Sequence, residues 1–388
     1  MKHTAHVDTF VRDNLPPKSR WPQLVFELPE LRYPKRLNCA AELLDKMVAD
    51  GLGARAVIRT LIDGKSYVCT YGQLLHRANQ IAQVLTEDLK LEPGNRVLLR
   101  APNNPMMAAC LLAVMKAGLV AVPTMPLLRA TELKQIIDKA RVGAALCDVR
   151  LKEEMELARA ECRDLKQVRY FNDDGADSLE QMLAGKSAAF APVDTAADDA
   201  CLIAFTSGTT GRPKGTVHFH RDVLAMCDCF PRSCLKPGRD DVFCGTPPLA
   251  FTFGLGGLLC FPMRYGASTV LMERLTPDAL LETIAKTKAT ICFTAPTYYR
   301  QMAGLVRNYD LRSLKKCVSA GEALPDSTRQ MFKEASGIEI IDGIGATEMI
   351  HIFISHTPER VRRGATGYAI PGYAAKVIDE AGNPCAPG

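Results

Sequence analysis

The stretch Cys201-Leu-Ile-Ala-Phe205 runs directly into Thr206-Ser-Gly-Thr-Thr-Gly-Arg-Pro-Lys-Gly215. Five apolar residues bounded by a glycine-rich segment read as a buried strand that feeds a loop. Glycines 208, 211 and 215 and four hydroxyl residues surround Lys214. Such a loop can turn backbone N–H groups and hydroxyls toward phosphate oxygens, with Lys214 supplying a mobile positive charge. It is not a Walker A loop, because Pro213 and Lys214 stand where the G-K-[ST] ending belongs. A strand, a glycine loop and a following helix are parts of an α/β protein.

The same alternation extends both ways from that segment. Toward the N-terminus, Val57 to Tyr71 reads as a hairpin about Asp63-Gly64, and Thr70-x-x-Gln73 is a capping box opening a helix. Strand Arg96–Arg100, helix Pro105–Ala117, strand Leu119–Val122, helix Thr131–Ala140 and strand Ala144–Cys147 follow. Toward the C-terminus come a helix after His220, strand Ser268–Met272, helix Pro277–Lys286 and strand Thr290–Thr294. Strands Lys316–Ser319 and Glu339–Ile341 then each run into a glycine-rich turn. The expected fold class is therefore α/β, with parallel sheets carrying helices on both faces in two related subdomains. The Ala/Asp/Pro-rich stretch Ser187–Asp199 suggests a junction. The expected units are residues 1–190, residues 191–360 with the chemical motifs, and residues 361–388, the start of a small β-rich subdomain.

Composition narrows the function classes. The chain has 388 residues, 47% of them hydrophobic and 23% charged, and a net charge of +5, as in ordinary soluble globular proteins. The densest basic stretch is Arg360-Val-Arg-Arg363, so neither a nucleic-acid surface nor a polybasic membrane surface is expected. The longest apolar stretch, Met106 to Leu128, is broken by Lys116, Gly118, Pro123 and Pro126 and is too short to span a bilayer. Fourteen scattered cysteines and an N-terminus without an apolar run point to reduced thiols in a cytoplasmic protein. His218, His220, Cys227 and Cys229 offer zinc-type donors. Their H-x-H and C-x-C spacing matches no common zinc pattern, and buried thiols are the plainer expectation.

TSGTTGRPKG resembles the phosphate-loop signature of the adenylate-forming superfamily, which includes acyl-CoA synthetases, luciferases and peptide-synthetase adenylation domains. Two further motifs of that superfamily follow in order, Ser319-Ala-Gly-Glu-Ala-Leu-Pro325 and Asp342-Gly-Ile-Gly-Ala-Thr-Glu-Met349. The wording DGIGATEMIHIF, with PLAFTFGLG at 248–256, resembles the benzoate-CoA ligase branch. RAPNNP and MPLLRATEL are similar to 2-aminobenzoate-CoA ligases.

The resemblance implies ATP-dependent activation of an aromatic carboxylic acid to acyl-AMP, followed by transfer to coenzyme A. It implies that Thr206, Ser207, Gly208, Thr209, Thr210, Gly211 and Lys214 hold the β- and γ-phosphates. Thr347 would bond the α-phosphate and Glu348 would hold Mg²⁺, a hard cation suited to carboxylate oxygen. Gly321, Glu322, Asp342 and Gly343 would border the adenine, with aliphatic Ile344 where many relatives carry a stacking tyrosine. His220 matches a family histidine placed near the carboxylate being activated, a support that His218 lacks. Thr252, Phe253, Ala320, Gly345, His351 and Ile352 would surround the aromatic ring, glycine and alanine leaving room for it.

Ala250-Phe-Thr-Phe253 carries no acid, so an α-ammonium would be buried unpaired. Benzoate or 2-aminobenzoate is favoured, with Thr252 or His351 able to bond an aromatic amine. The family's mobile C-terminal domain, with its adenylation-promoting lysine, and the T-G-D motif are expected beyond Gly388. The expectation is thus a shortened, poorly active N-terminal domain. The alternatives are an enzyme that loads a carrier protein and a non-catalytic acid- or nucleotide-binding protein. A homodimer is compatible with the sequence.

Overall fold

The computed structural model describes residues 3–62, 65–206 and 213–386. Two sheets organise them. The smaller has six strands, in the order Gln167–Phe171, Ala144–Asp148, Arg96–Arg100, Val120–Thr124, Ala200–Thr206 and Lys214–Phe219. All its pairs are parallel except the last, a hairpin that closes across the phosphate loop. The larger has nine strands. Its parallel centre runs Ile340–Gly345, Lys316–Ser319, Ile291–Thr294, Val242–Gly245, Ser268–Val270 and Ala56–Ile62. Antiparallel Lys65–Thr70 lies at one edge, and antiparallel Ile352–Ser355 and Tyr368–Ala369 at the other. The central strands Arg96–Arg100, Val120–Thr124 and Ala144–Asp148 are buried along their whole length, as expected of a parallel sheet covered on both faces.

The sheets do not respect a boundary at residue 190. Ala56–Ile62 and Lys65–Thr70 come from the N-terminal part yet join the larger sheet, while Ala200–Thr206 and Lys214–Phe219 lie past residue 190 yet complete the smaller one. Each half thus lends a hairpin to the other's sheet, which corrects the expected division into 1–190 and 191–360. Nor does 361–386 open a separate sheet, since Tyr368–Ala369 adds an edge strand to the larger one.

Local chemistry accounts for the elements that flank the site. Thr70 caps helix Tyr71–Gln83: its hydroxyl accepts from the Gln73 N–H at 3.2 Å, and the Gln73 side chain accepts from the Thr70 N–H at 2.9 Å. Asn104 caps Pro105–Lys116, with proline at the first helical position. That helix is buried from Met107 to Lys116, so its apolar run reflects a place between layers. No helix among the described residues is long and apolar enough to cross a membrane. Lys116 survives burial because it bonds Asp45 at 2.6 Å and the Asn79 side chain. All fourteen cysteines are free, twelve of them buried.

Candidate functional site

Thr206 and Lys214 face each other as the last rung of the hairpin. Ser207, Gly208, Thr209, Thr210 and Gly211 lie outside the described residues. Lys214 is exposed.

The hairpin reaches the third motif through His218. Its Nε2 lies 2.7 Å from the carbonyl oxygen of Thr347, and its ring is 3% exposed. A carbonyl can only accept, so Nε2 carries the hydrogen. Burial pushes the His218 pKa down to about 4, against the smaller opposing effects of the Thr347 carbonyl and Glu348, so the ring is neutral near pH 7. Thr347–Met349 forms one 3₁₀ turn beyond strand Ile340–Gly345. The turn ends at Ile350 with φ 62°, a costly conformation for a β-branched residue, on the order of 1–3 kcal/mol. Glu348 is exposed and forms no ion pair among the described residues. An unpaired carboxylate beside a hydroxyl is a donor set that suits Mg²⁺.

His220 sits elsewhere. Its Nδ1 accepts from the Cys39 N–H at 3.1 Å and lies 3.1 Å from the Cys39 sulfur, fully buried. Its Nε2 is buried without a partner, so the ring makes no bond to the third motif. The reason is local: the strand ends at Phe219 and the helix begins at His220, so two residues apart no longer means the same face. The four zinc-type donors weighed from the sequence do not converge either, since the Cys227 thiol bonds the Val223 carbonyl one helical turn back. Cys39, Cys201 and His220 do converge, their donor atoms all lying within 4.8 Å of one another. Separations of 162 and 19 residues give no sequence signal for that cluster.

Around the expected adenine position, Asp342 is 8% exposed, and burial raises its pKa against the opposing Gly343 N–H. Its backbone N–H donates to His356 Nε2 at 3.2 Å, and its Oδ1 is buried without a partner. A cavity of about 240 Å³ opens beside it, lined among others by Ala323, Leu324, His356 and Thr366. His356 and Thr366 were not singled out from the sequence, since they follow the recognised motifs. Gly321 has φ 92°, which explains the glycine, and Glu322 accepts from the Thr297 hydroxyl at 3.0 Å. Ile344 is 44% exposed at the strand's end.

Of the residues expected around the ring, Phe253 and His351 lie in an aromatic cluster. Phe253 lies 5.5 Å from His351 and 5.6 Å from Phe293, centroid to centroid, Phe230 stacks on His351 and Phe261 meets it edge-on. Thr252, Ala320 and Ile352 are buried. Burial depresses the His351 pKa to about 3, against the weaker pull of the Phe253 carbonyl. His351 Nε2 lies 3.3 Å from that carbonyl and is the donor. Nδ1 is then a buried acceptor, and it has no partner. Gly345, expected to leave room for a ring, lies where strand Ile340–Gly345 meets strand Ile352–Ser355. A Cβ there would stand 3.1 Å from the His351 backbone, so the glycine also serves the close approach of two strands.

The hairpin that carries Lys214 and the third motif are thus joined through His218, next to a buried aromatic cluster around His351. Residues 46–388 match the AMP-binding enzyme family, and the chain belongs to that family. It is 33% identical to the benzoate–CoA ligase of Thauera aromatica over 358 residues, 91% of this chain and 67% of the relative. It is 30% identical to the anthranilate–CoA ligase of Pseudomonas aeruginosa, over 80% of this chain and 58% of the relative. The structure resembles the anthranilate CoA ligase AuaEII, solved in complex with anthranoyl-AMP. The TM-score is 0.87 at 29% identity, covering 93% of this chain and 70% of that one. The chain thus spans about 58% to 70% of the length of these relatives.

Proposed function

We propose that the protein activates an aromatic carboxylic acid of the 2-aminobenzoate class with ATP and passes the acyl group to coenzyme A. The observation that carries this reading is the buried, unpartnered acceptor Nδ1 of His351 within the aromatic cluster that holds Phe253. An acceptor there asks the ligand for a hydrogen-bond donor, which an ortho-amine supplies and plain benzoate does not. A charged α-ammonium would find no carboxylate in Ala250–Phe253.

In this reading Lys214 neutralises phosphate charge, the Thr347 hydroxyl bonds the α-phosphate, and Asp342 borders the adenine beside the cavity. The carboxylate of the acid attacks the α-phosphorus and pyrophosphate leaves, so the protein's contribution is chiefly positioning and charge stabilisation. Glu348 would hold Mg²⁺, which neutralises the charge on the leaving pyrophosphate. The free buried thiols fit a cytoplasmic setting.

The test uses the full-length protein with MgATP. Pyrophosphate release and thioester formation are followed with benzoate, 2-aminobenzoate, 2-hydroxybenzoate and 2-methylbenzoate. Acids with an ortho donor should have the highest kcat/KM. A preference for 2-methylbenzoate would reject the donor-recognition reading. Acyl-AMP formation without thioester, with coenzyme A present, would favour delivery to a carrier protein.

A further inference from the structure

The turn that follows the third motif's strand is held at both ends. At one end Ile350 is anchored by a side chain only 4% exposed. At the other, the Thr347 carbonyl accepts twice, from the Ile350 N–H at 3.0 Å and from His218 Nε2 at 2.7 Å. Within it the Met349 N–H bonds the Ala346 carbonyl at 3.1 Å, and the His351 N–H bonds the Met349 carbonyl at 2.8 Å. These local bonds would form in many shapes of the segment. The positive φ of Ile350 would not, and such a conformation persists only where its surroundings over-determine it. The bond from His218 comes from 129 residues away in sequence.

We propose that His218 is a positioning residue: its Nε2–H clamps the Thr347 carbonyl and so holds the strained Thr347–Ile350 turn in the shape that presents the Thr347 hydroxyl and the Glu348 carboxylate to the nucleotide. The strand that carries His218 begins at Lys214, so the same bond fixes the third motif relative to the phosphate-loop lysine. A histidine suits the task because it donates while uncharged. A lysine or arginine there would pair with Glu348 and compete with a metal ion for its carboxylate. Burial keeps the ring neutral, as its lowered pKa indicates. The catalytic consequence rests on the adenylation reading above, whereas the clamp itself does not.

The experiment compares His218→Leu and His218→Gln in the full-length protein, glutamine keeping an N–H donor close to the place of Nε2. Hydrogen exchange is followed in the peptide spanning residues 342–352. The leucine variant should exchange at least about tenfold faster there, with the remainder of the larger sheet unchanged and the glutamine variant close to wild type. In the adenylation half-reaction the leucine variant should lose about tenfold to a hundredfold in kcat, with the acid's Kd unchanged and glutamine restoring most of the rate. Equal exchange in wild type and the leucine variant would overturn the clamp. Equal impairment of the two variants, or a parallel loss of acid affinity, would overturn its positioning role. A wild-type protein that turns over no aromatic acid would refute the adenylation reading, and the exchange measurement would still decide the clamp.

Discussion

An exposed carboxylate that forms no ion pair among the described residues, such as Glu348, contributes little to the fold, so its removal should be felt in chemistry alone. Glu348→Gln in the full-length protein is expected to lower MgATP-dependent acyl-AMP formation by about a hundredfold. Calorimetric binding of 2-aminobenzoate should be unchanged, and a parallel loss of both would instead make Glu348 a structural residue. Thr252 tests the opposite end of the site. It is 9% exposed and directly precedes Phe253, and Thr252→Val keeps the side chain's shape without its hydroxyl. If the hydroxyl shares the ortho-amine with His351 Nδ1, the change should cost 2-aminobenzoate about 0.5–1.5 kcal/mol of binding and benzoate almost nothing. Titration of both acids against both proteins decides this, and equal losses would assign amine recognition to His351 alone.

Among the elements, the glycines of the Phe253-Gly-Leu-Gly-Gly257 segment separate two kinds of constraint. A Cβ at Gly254 would stand 2.1 Å from the Pro248 carbonyl, and one at Gly256 would stand 2.4 Å from the His351 ring. At Gly321 nothing lies within 4 Å, and only φ 92° opposes a side chain. Gly321→Ala should therefore cost about 1–2 kcal/mol in urea unfolding, while Gly254→Ala should cost more and also weaken acid binding, since it must move the Phe253 turn. Similar losses for the two would mean that the segment yields easily. The helix opened by the Thr70 capping box was legible in the sequence, whereas the strand expected at Glu339–Ile341 runs on to Gly345 and helix Asp326–Ser336 was not read. Val242–Gly245 was not legible, since four apolar residues without flanking periodicity do not distinguish a strand from a loop. The motifs marked Thr347, Glu348 and Asp342, yet their wording could not show which histidine reaches Thr347. That depends on where the strand ends and the helix begins, a one-residue matter that turns His220 Nδ1 toward Cys39 and His218 Nε2 toward the Thr347 carbonyl.

At the scale of the whole molecule, His351, His218 and Asp222 contribute to the response to acid, and their signs differ. His351 and His218 titrate near 3 and 4 when folded, against 6.5 for a free histidine, because burial penalises the charged ring. Below pH 6.5 the unfolded chain binds protons at both that the folded protein refuses, so stability falls as pH falls. Asp222 acts in reverse. Burial raises its pKa from 3.8 to about 6, against the bond it accepts from the Phe219 N–H at 2.9 Å. Between those values the folded protein holds a proton there that the unfolded chain releases, which adds stability as pH falls. Two histidines against one carboxyl leave one proton net, so between pH 6 and 4 these groups should lower unfolding stability by about 1.4 kcal/mol per pH unit. Below pH 4 the lowered carboxyls of Asp8, Asp148 and Asp199 deepen the loss, since their partners hold them ionised only in the folded state. Asp222→Asn keeps an acceptor for the Phe219 N–H and removes the opposing titration of that carboxyl. Its stability at pH 6.5 should stay close to wild type. Its decline between pH 6 and 4 should steepen by about 1.4 kcal/mol per unit, because the opposing proton at Asp222 is gone. Urea unfolding of the two proteins across that range measures both slopes, and parallel curves would mean that Asp222 is ionised in the folded protein at pH 5.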